Sequence, residues 1–526
     1  MRIERGLLNP KHGRLMTMTR TSTMATVLAL VIDGAGCMNL DVANPNEPDR
    51  DRALATGTDV EALISGTFKT WWDLQQGRGP GPALASFADE ISPPQANYGF
   101  YDTGVEPRIA VVNLADYTWN YFLTDPWFLL NRAMAALRDA LLSIEAGVRI
   151  GPNGADIPRA RAFARFMQGL GHAQIAVLYD QGVVIDETVE DVEGVAFRPY
   201  AEIMTAARRY FAEARELAAN NPFTIPVDWL GPSAYSSADL IRLAHSYEAR
   251  LTAQVARSPE ERAQVNWNEV LNHIEQGVTR DFGIEITGPG GPWSTTLKSF
   301  SGRDENMDMA FVGRADQSGG WQAYEATPGR QKLPFVVETD DRRIGNPADT
   351  LGVYIQYRRD LTGDPGRGTM FLSHYAPRYW RELADLDEGF APDLTVEEMN
   401  YLKAEAYIRT GQTAAGLAII NKNRVEQGGL PPATAQGVQG QTRCVPKTVT
   451  GACGDLLYTL AYETRMKPLA LLSQGSTYYF SRGFAGWLRE GTALHLPIPA
   501  RELMTLQLDV YTFGGIGGVA AAPAWR

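Results

Sequence analysis

The sequence predicts a mainly α-helical protein built from helical hairpins, with an irregular, loop-rich second lobe. Two observations carry this prediction. Apolar residues recur every three or four positions in several segments before residue 280 and again after residue 395. Between about 281 and 394 that period is mostly lost, and Gly, Pro, Asp and aromatic residues dominate.

The N-terminal half is expected to hold five or more helices. The first begins at Thr58 or Asp59, either of which suits an N-cap position. The next has Pro126 near its first turn and Gly147 at its end, which is the usual asymmetry of a helix. That helix covers 125–147, and further helices are expected over 156–180, 199–219 and 236–257, and from Trp267 onward.

Helical period returns at Thr395, and Gly411 ends the helix that starts there. Ala414 to Val425 form a second helix, so the two make a helix–turn–helix with small residues at the crossing. This pattern is typical of tetratricopeptide-like hairpins, although their period of about 34 residues is absent. Residues 456–490 predict one or two final helices, and 491–526 an irregular tail.

The chain is therefore expected to have five parts. They are a signal peptide (1–36), a tether (37–57), an N-terminal helical part (58–280), an irregular ligand-facing lobe (281–394), and a C-terminal helix pair with its following region (395–526).

Composition excludes some classes of partner. With 44% hydrophobic and 21% charged residues, the 526-residue chain has the composition of a soluble globular protein. Its formal net charge of −12 repels phosphate backbones, so nucleic acid is not an expected partner.

The N-terminus reads as an export signal. Five Lys or Arg residues precede a short apolar run, Met24 to Ile32, and the small residues Gly34 to Gly36 then lead to Cys37. The run is too short to span a bilayer. Cys37 is therefore the expected site of lipidation, an incidental cysteine being the alternative. Met16 and Met18 are alternative starts. Cleavage before Cys37 leaves 44 Lys and Arg against 59 Asp and Glu, a net charge of −15.

The other two cysteines, Cys444 and Cys453, lie in a loop rich in Gly, Thr and Pro. In an exported protein, two remaining cysteines favour a small disulfide loop, with free thiols as the alternative. No His lies nearby to make a metal site.

Several stretches resemble, in chain order, sequence blocks of the SusD/RagB family of nutrient-uptake lipoproteins. The similar stretches are LDVANPNEPDRDRALATGTDVEALISGTFKTWW after Cys37, SFADEISPPQANYGFYDTGVEPR with TDPWFLLNRAMAALRDAL, NYLKAEAYIRTGQTAAGLAIINKNRVEQGGLPP, and LAYETRMKPLALLSQGSTYYFSRGF with HLPIPARELMTL. Together they span roughly residues 37–510.

The resemblance implies a SusD-like fold with tetratricopeptide-like hairpins. It also implies a lipoprotein on the bacterial outer membrane, exposed at the cell surface. Such a protein captures an oligosaccharide or other nutrient and delivers it to a SusC-like, TonB-dependent β-barrel transporter. Catalysis and cofactors are not part of that role.

Sugar binding needs flat aromatic faces beside polar groups, because a pyranose presents a C–H face and ring-edge hydroxyls. The irregular lobe offers Trp293, Trp321 and Tyr324, and the 92–108 loop offers Asn97 and Tyr101. These five are the candidate ligand-binding residues. The alternative is that each ring packs an irregular loop against the core.

Two other functions stay open. The sequence lacks a Gly-x-Ser-x-Gly elbow, a Walker A loop and a His-Glu-x-x-His motif, yet its many Asp/Glu pairs leave a surface glycoside hydrolase possible. A tetratricopeptide-type scaffold that binds only protein is the second alternative. No metal site is expected. Structural calcium in the acidic loops 186–193 or 302–308 is conceivable, but solvated charge is favoured there.

Overall fold

The computed structural model describes residues 54–76, 79–92, 99–192, 194–288, 291–293, 306–359, 373–386, 388–467 and 475–519. They belong to one compact unit, Leu54–Arg526. Its helices are α1 (Gly57–Gln76), α2 (Pro80–Phe87), α3 (Phe100–Gly104), α4 (Tyr121–Glu145), α5 (Ile157–Leu178), α6 (Tyr200–Asn220), α7 (Ser237–Gln254), α8 (Pro259–Ala263), α9 (Trp267–Glu275), α10 (Met309–Val312), α11 (Gly320–Ala326), α12 (Arg378–Leu386), α13 (Val396–Arg409), α14 (Thr413–Glu426), α15 (Leu456–Met466), α16 (Gly475–Ser481) and α17 (Ala500–Thr505). The prediction of a mainly α fold is confirmed.

Strands in the described residues are short and pair antiparallel, two by two. They are β1 (Ile91–Ser92), β2 (Gln181–Gly182), β3 (Arg198–Pro199), β4 (Thr224–Ile225), β5 (Tyr235–Ser236), β6 (Phe282–Thr287), β7 (Asn306–Met307), β8 (Ile355–Tyr357), β9 (Tyr375–Pro377) and β10 (Glu388–Leu394). The pairs are β1 with β7, β2 with β3, β4 with β5, β6 with β10, and β8 with β9.

The long helices form a frame in which chain neighbours pack side by side. In the series α1, α4, α5, α6, α7, α9, α13 and α14, each helix packs against the next one. The apolar stripes of these helices meet in one large core, which includes Phe68, Trp127, Phe166 and Tyr247. A second core lies under the irregular region and the last helices, around Phe311, Trp321 and Trp487.

Helix bounds in the frame agree with the sequence to within a few residues, except at the first cap. Helix α1 begins at Gly57, not at Thr58 or Asp59. The Thr56 hydroxyl accepts a hydrogen bond from the Asp59 backbone N–H at 3.3 Å and donates to the Asp59 carboxylate at 2.5 Å. The capping pair is therefore Thr56 and Asp59, because a hydroxyl three residues upstream can reach that free N–H.

Buried ion pairs join the first half of the frame to the second. On α7, Arg250 bonds Glu398 of α13 at 2.5 Å and Asp393 of β10 at 3.3 Å. On α8, Arg262 donates two hydrogen bonds of 2.7 Å to Glu405 of α13. Since these side chains are almost fully buried, each charge needs its partner in place.

The described residues of the irregular region are folded, as a segment of this length requires. Strand β6 pairs with β10, so the two ends of the region lie side by side. No described helix is both long and apolar enough to cross a bilayer.

The carboxyl-terminal segment closes the fold against much earlier parts of the chain. The Val111 N–H donates to the Phe513 carbonyl at 2.9 Å, and the Leu496 N–H donates to the Leu178 carbonyl at 2.8 Å. The Asn113 side-chain amide also donates to the Ile498 carbonyl at 2.9 Å.

Candidate ligand-binding cavity

A cavity of about 360 Å³ opens where the irregular region, the segment after α3 and the segment after α16 meet. Ligand pockets typically begin at about 300 Å³, so its size is sufficient for a small ligand. Its lining residues are Asp89, Glu106, Pro107, Arg108, Ala310, Arg314, Trp321, Glu325, Val449, Gly486, Trp487, Leu488, Arg489 and Glu490.

Arg489 is the centre of the charged wall. Its guanidinium donates to both Glu325 oxygens, at 2.5 and 2.9 Å. It also lies 3.1 Å from Asp89 and 3.3 Å from Glu106. Asp89 and Glu106 lie in the N-terminal part of the chain and Glu325 in the irregular region, so the Arg489 guanidinium joins segments far apart in sequence at the cavity.

Two further cations complete this network. Arg108 binds Asp89 at 2.7 Å. Lys332 binds Glu106 at 2.6 Å and Glu325 at 3.3 Å, with its side chain almost fully buried. The Lys332 contacts fasten the irregular region to the segment that follows α3.

Aromatic rings and a third arginine form the adjoining wall. The Arg314 guanidinium lies 4.0 Å from the centre of the Trp487 ring and 5.2 Å from that of Trp321. The indole N–H of Trp321 donates to Glu325 at 3.2 Å. Gly313 is required beneath it, because a Cβ there would come within 2.6 Å of the Trp321 ring.

A disulfide loop supplies the rim. Cys444 and Cys453 are joined by a disulfide, and Val449 of their loop is 51% exposed while lining the cavity. The backbone N–H of Lys447 donates to the Arg314 carbonyl at 2.8 Å. The covalent loop is thus bonded to the wall that it borders.

Burial and pairing shift the pKa values of these groups in opposite directions. Burial alone would raise the pKa of Glu325, but hydrogen bonds and attraction from Arg489, with attraction from Lys332, lower it. Burial lowers the pKa of Arg314 to about 9, with repulsion from Arg465 adding to the effect. Burial beside the Asp89 carboxylate raises the pKa of Asp308 to about 7.

The candidate residues inferred from the sequence lie in different environments in the structure. Trp321 lines the cavity, although its ring is only 1% exposed. Tyr324, on the same helix, is buried with Lys332 4.6 Å from its ring centre, and its hydroxyl has no hydrogen-bond partner among the residues that the structure describes. Tyr101, in α3, is half-buried and does not line the cavity.

Trp293 lies in the main core instead. Its ring centre is 6.1 Å from that of Phe68 and 6.3 Å from that of Trp72, and the side chain is 5% exposed. Trp293 therefore packs against the core, which was the alternative to ligand binding, because aromatic rings of α1 cover it. Asn97 and Cys37 lie outside the described residues.

Sequence reasoning missed the residues that dominate the wall, namely Arg489, Glu325, Arg314 and Trp487. The stretch from Gly486 to Glu490, with an indole and two opposite charges after a glycine, was the available signal. It resembled an ordinary helix end, so nothing local singled it out.

One cluster among the described residues has a geometry compatible with a metal ion, namely Glu248, Glu269 and His273. Arg208 binds both of these carboxylates, and Arg215 binds Glu248 at 2.5 Å. The arginines therefore already neutralise the acidic ligands.

In the acidic loop 186–193, where solvated charge was favoured over calcium, Asp186 already has partners among the described residues. Asp186 accepts hydrogen bonds from Thr188 and Tyr210, both at 2.5 Å, and pairs with Arg209 at 3.0 Å. Residues 302–305 of the other loop lie outside the described residues.

Comparison with known proteins identifies the fold. No protein-family model and no curated protein sequence matches the chain. Among solved structures, a SusD homolog from Parabacteroides distasonis superposes with a TM-score of 0.52. The alignment covers 80% of this chain and 83% of that chain at 12% identity. This chain therefore has a SusD-type fold, and the resemblance seen in the sequence is confirmed at the level of fold.

Other similar structures have TM-scores just below 0.5. A SusD superfamily protein from Bacteroides vulgatus gives 0.49 over 86% of this chain and 97% of that chain, at 13% identity. A laminarin-binding SusD-like protein gives 0.49 over 88% and 99%, at 13% identity.

Proposed function

We propose that this protein is a SusD/RagB-family binding protein that captures an oligosaccharide in the cavity around Arg489 and Trp321 without altering it chemically. The observation that carries the proposal is the meeting of two loops singled out by sequence. Lys332 of the irregular region is bonded to Glu106 of the 92–108 segment at the edge of a cavity on a SusD-type fold.

The chemistry of the wall suits a sugar. Hydroxyl groups both donate and accept, so they can bond paired carboxylates and guanidinium N–H groups at once. Carboxylates already bound to arginine keep lone pairs for further donors. Apolar lining from Pro107, Val449 and Leu488 adds surface for the C–H face of a pyranose.

Binding without turnover is favoured over glycoside hydrolysis. A hydrolase needs one carboxyl group with a raised pKa to act as an acid. In this wall the pKa of Glu325 is lowered, and the pKa of Asp89 is lowered by Arg108 and Arg489 against the effect of burial. The nearby carboxyl group with a raised pKa, that of Asp308, is buried and does not line the cavity. A reducing-end assay on candidate polysaccharides is expected to show no products.

The first experiment is a glycan array followed by isothermal titration calorimetry on the full mature chain. Val449→Trp tests the location, because a bulky ring on the exposed rim narrows the cavity. We expect at least tenfold weaker binding. Val227→Trp is the matched control, since Val227 has the same 51% exposure and does not line the cavity. Equal affinity in wild type and Val449→Trp would contradict this site.

The proposed role also includes a lipid anchor on Cys37 and a SusC-like, TonB-dependent β-barrel partner at the cell surface. Cys37→Ala is expected to release the protein from the outer-membrane fraction. Affinity purification of wild type from outer membranes is expected to recover a large β-barrel. Deleting that barrel is expected to abolish uptake while leaving ligand binding by the purified protein unchanged.

A further inference from the structure

Most charges of the cavity wall are already paired with one another. Glu325 and Glu106 each contact both Arg489 and Lys332, and Asp89 contacts both Arg489 and Arg108. These separations run from 2.5 to 3.3 Å, which is the range of charge-assisted hydrogen bonds. Arg314 differs, since it donates to the Tyr458 hydroxyl and the Gly486 carbonyl, and exposed Glu490 forms no ion pair among the described residues. At Asp89, Glu106, Glu325, Arg108 and Arg489 a ligand meets ion pairs, not isolated charges.

The sum of the wall charges is close to zero. Four acidic side chains line the described cavity, Asp89, Glu106, Glu325 and Glu490. Four cations balance them, the three lining arginines (Arg108, Arg314, Arg489) and Lys332 behind them. Asp308 is buried close to Asp89 and adds one negative charge when it ionises. At neutral pH the net charge of these residues is thus zero or −1.

An anionic ligand would meet two penalties. To reach the guanidinium of Arg108 or Arg489 it must displace a carboxylate that is already bonded, which leaves that carboxylate without its partner. The whole chain also has a net charge of −12, so it repels polyanions over about 10 Å at 0.1 M salt. An uncharged polyol meets neither penalty.

We propose that the cavity selects uncharged oligosaccharides and rejects chains that carry carboxylate or sulfate groups. This selection rests on the proposed binding function and names its ligand class. Hydroxyls of a neutral sugar add hydrogen bonds to the existing ion pairs without breaking them. Binding therefore leaves the net charge of the wall unchanged.

Calorimetry with matched sets of oligosaccharides tests the selection. The neutral probes are laminari-, cello-, manno- and xylo-oligosaccharides, and the anionic probes are oligogalacturonates and alginate oligomers of the same length. We expect the best neutral probe to bind at least tenfold more tightly than any anionic one at 50 mM NaCl. Its Kd is expected to change less than twofold between 50 and 500 mM NaCl, because screening acts on charged pairs.

A pair of charge reversals tests whether the wall itself sets the selection. Glu490→Lys makes the wall positive, and we expect it to raise the affinity for oligogalacturonate at least threefold at 50 mM NaCl. Glu216→Lys is the control. It makes the same change in total charge at an exposed position of α6 that does not line the cavity, and it is expected to leave the affinity for oligogalacturonate as in wild type. Equal gains in both variants, or no gain in either, would overturn the assignment to the wall.

The outcomes separate the two proposals. Binding of oligogalacturonate at least as tight as that of every neutral probe, and lost at 500 mM NaCl, overturns the choice of ligand but leaves the binding function in place. Failure of every glycan, neutral or anionic, to bind contradicts the proposed function itself.

Discussion

Two clusters of ionised side chains use the same residue types for different purposes. The frame cluster consists of Asp341, Arg343, Arg424 and Glu463, and its ion-paired side chains are 0% exposed. The cavity cluster consists of Arg489, Asp89, Glu106 and Glu325, with side chains 9 to 19% exposed. Their closest contacts are alike, at 2.5 Å.

Access to water therefore distinguishes the clusters, and it decides what each can do. The frame cluster ties the 341–343 turn to α14 and α15, and nothing from solvent reaches it. The cavity cluster holds segments together too, but it keeps part of each group available to a ligand. Four predictions test this contrast, beginning with the largest effect.

Glu463→Gln is expected to break the frame cluster. The substitution leaves the buried guanidinium groups of Arg343 and Arg424 short of one negative charge. Removing one partner of a buried ion pair costs about 3–5 kcal/mol. Urea unfolding followed by circular dichroism measures the free energy of unfolding. A loss below about 1 kcal/mol would mean that water enters the cluster and that the contrast is false.

Replacing both disulfide cysteines, Cys444→Ser with Cys453→Ser, is expected to act on both stability and binding. Opening a loop of this length costs about 2–3 kcal/mol in unfolding free energy. Ligand affinity is also expected to fall, because the loop carries Val449 at the rim and bonds the Arg314 carbonyl. Calorimetry, with and without reductant, measures both the stability and the ligand Kd. An unchanged Kd would mean that the disulfide loop does not contribute to the binding site.

Asp308→Asn is expected to stabilise the protein at high pH. The folded-state pKa of Asp308 is raised to about 7, so the folded state retains a proton that the unfolded chain loses near its ordinary value of 3.8. Its contribution to stability therefore falls as pH rises from about 4 to about 7. The asparagine carbonyl can still accept from the Ala310 N–H, as the carboxylate does at 2.7 Å.

The measured quantity is the difference in unfolding free energy between the Asp308→Asn variant and wild type. We expect that difference to favour the variant by about 2 kcal/mol more at pH 8 than at pH 5. A difference independent of pH would mean that Asp308 has an ordinary pKa.

Arg489→Gln is expected to cost the least stability, about 1–2 kcal/mol, because its three carboxylate partners keep contact with water and with other cations. Ligand affinity is expected to fall about tenfold. Arg443→Gln is the control, since Arg443 also pairs with two carboxylates, Asp340 and Glu338, but on the open surface. It is expected to change neither property. A loss of stability from Arg489→Gln as large as that from Glu463→Gln would remove the contrast.

Much of the frame could be predicted from the sequence, because a helix is a local structure. The 156–180 segment becomes α5, Ile157–Leu178, and the 199–219 segment becomes α6, Tyr200–Asn220. Both have apolar residues at helical spacing over five or six turns, a pattern that few other structures fit. The first cap was placed wrongly, because hydroxyls at Thr56 and Thr58 are equally suitable by sequence alone.

The cavity could be predicted only in part. Aromatic residues in the irregular region suggested Trp321 and Trp293 equally, yet one lines the cavity and the other packs against Phe68. The two residues differ in their contacts with segments that are distant in sequence. Such contacts produce no periodic pattern in the sequence. The same holds for Arg489, whose partners Asp89 and Glu325 lie 400 and 164 residues away.

The bonds from Val111 to Phe513 and from Leu178 to Leu496 decide when this protein finishes folding. A chain that emerges amino end first presents residues 108–113 and 178–180 hundreds of residues before their partners. These two hydrogen bonds cannot form until the final stretch of the chain has been synthesised, so the segments around Val111 and Leu178 gain these partners last.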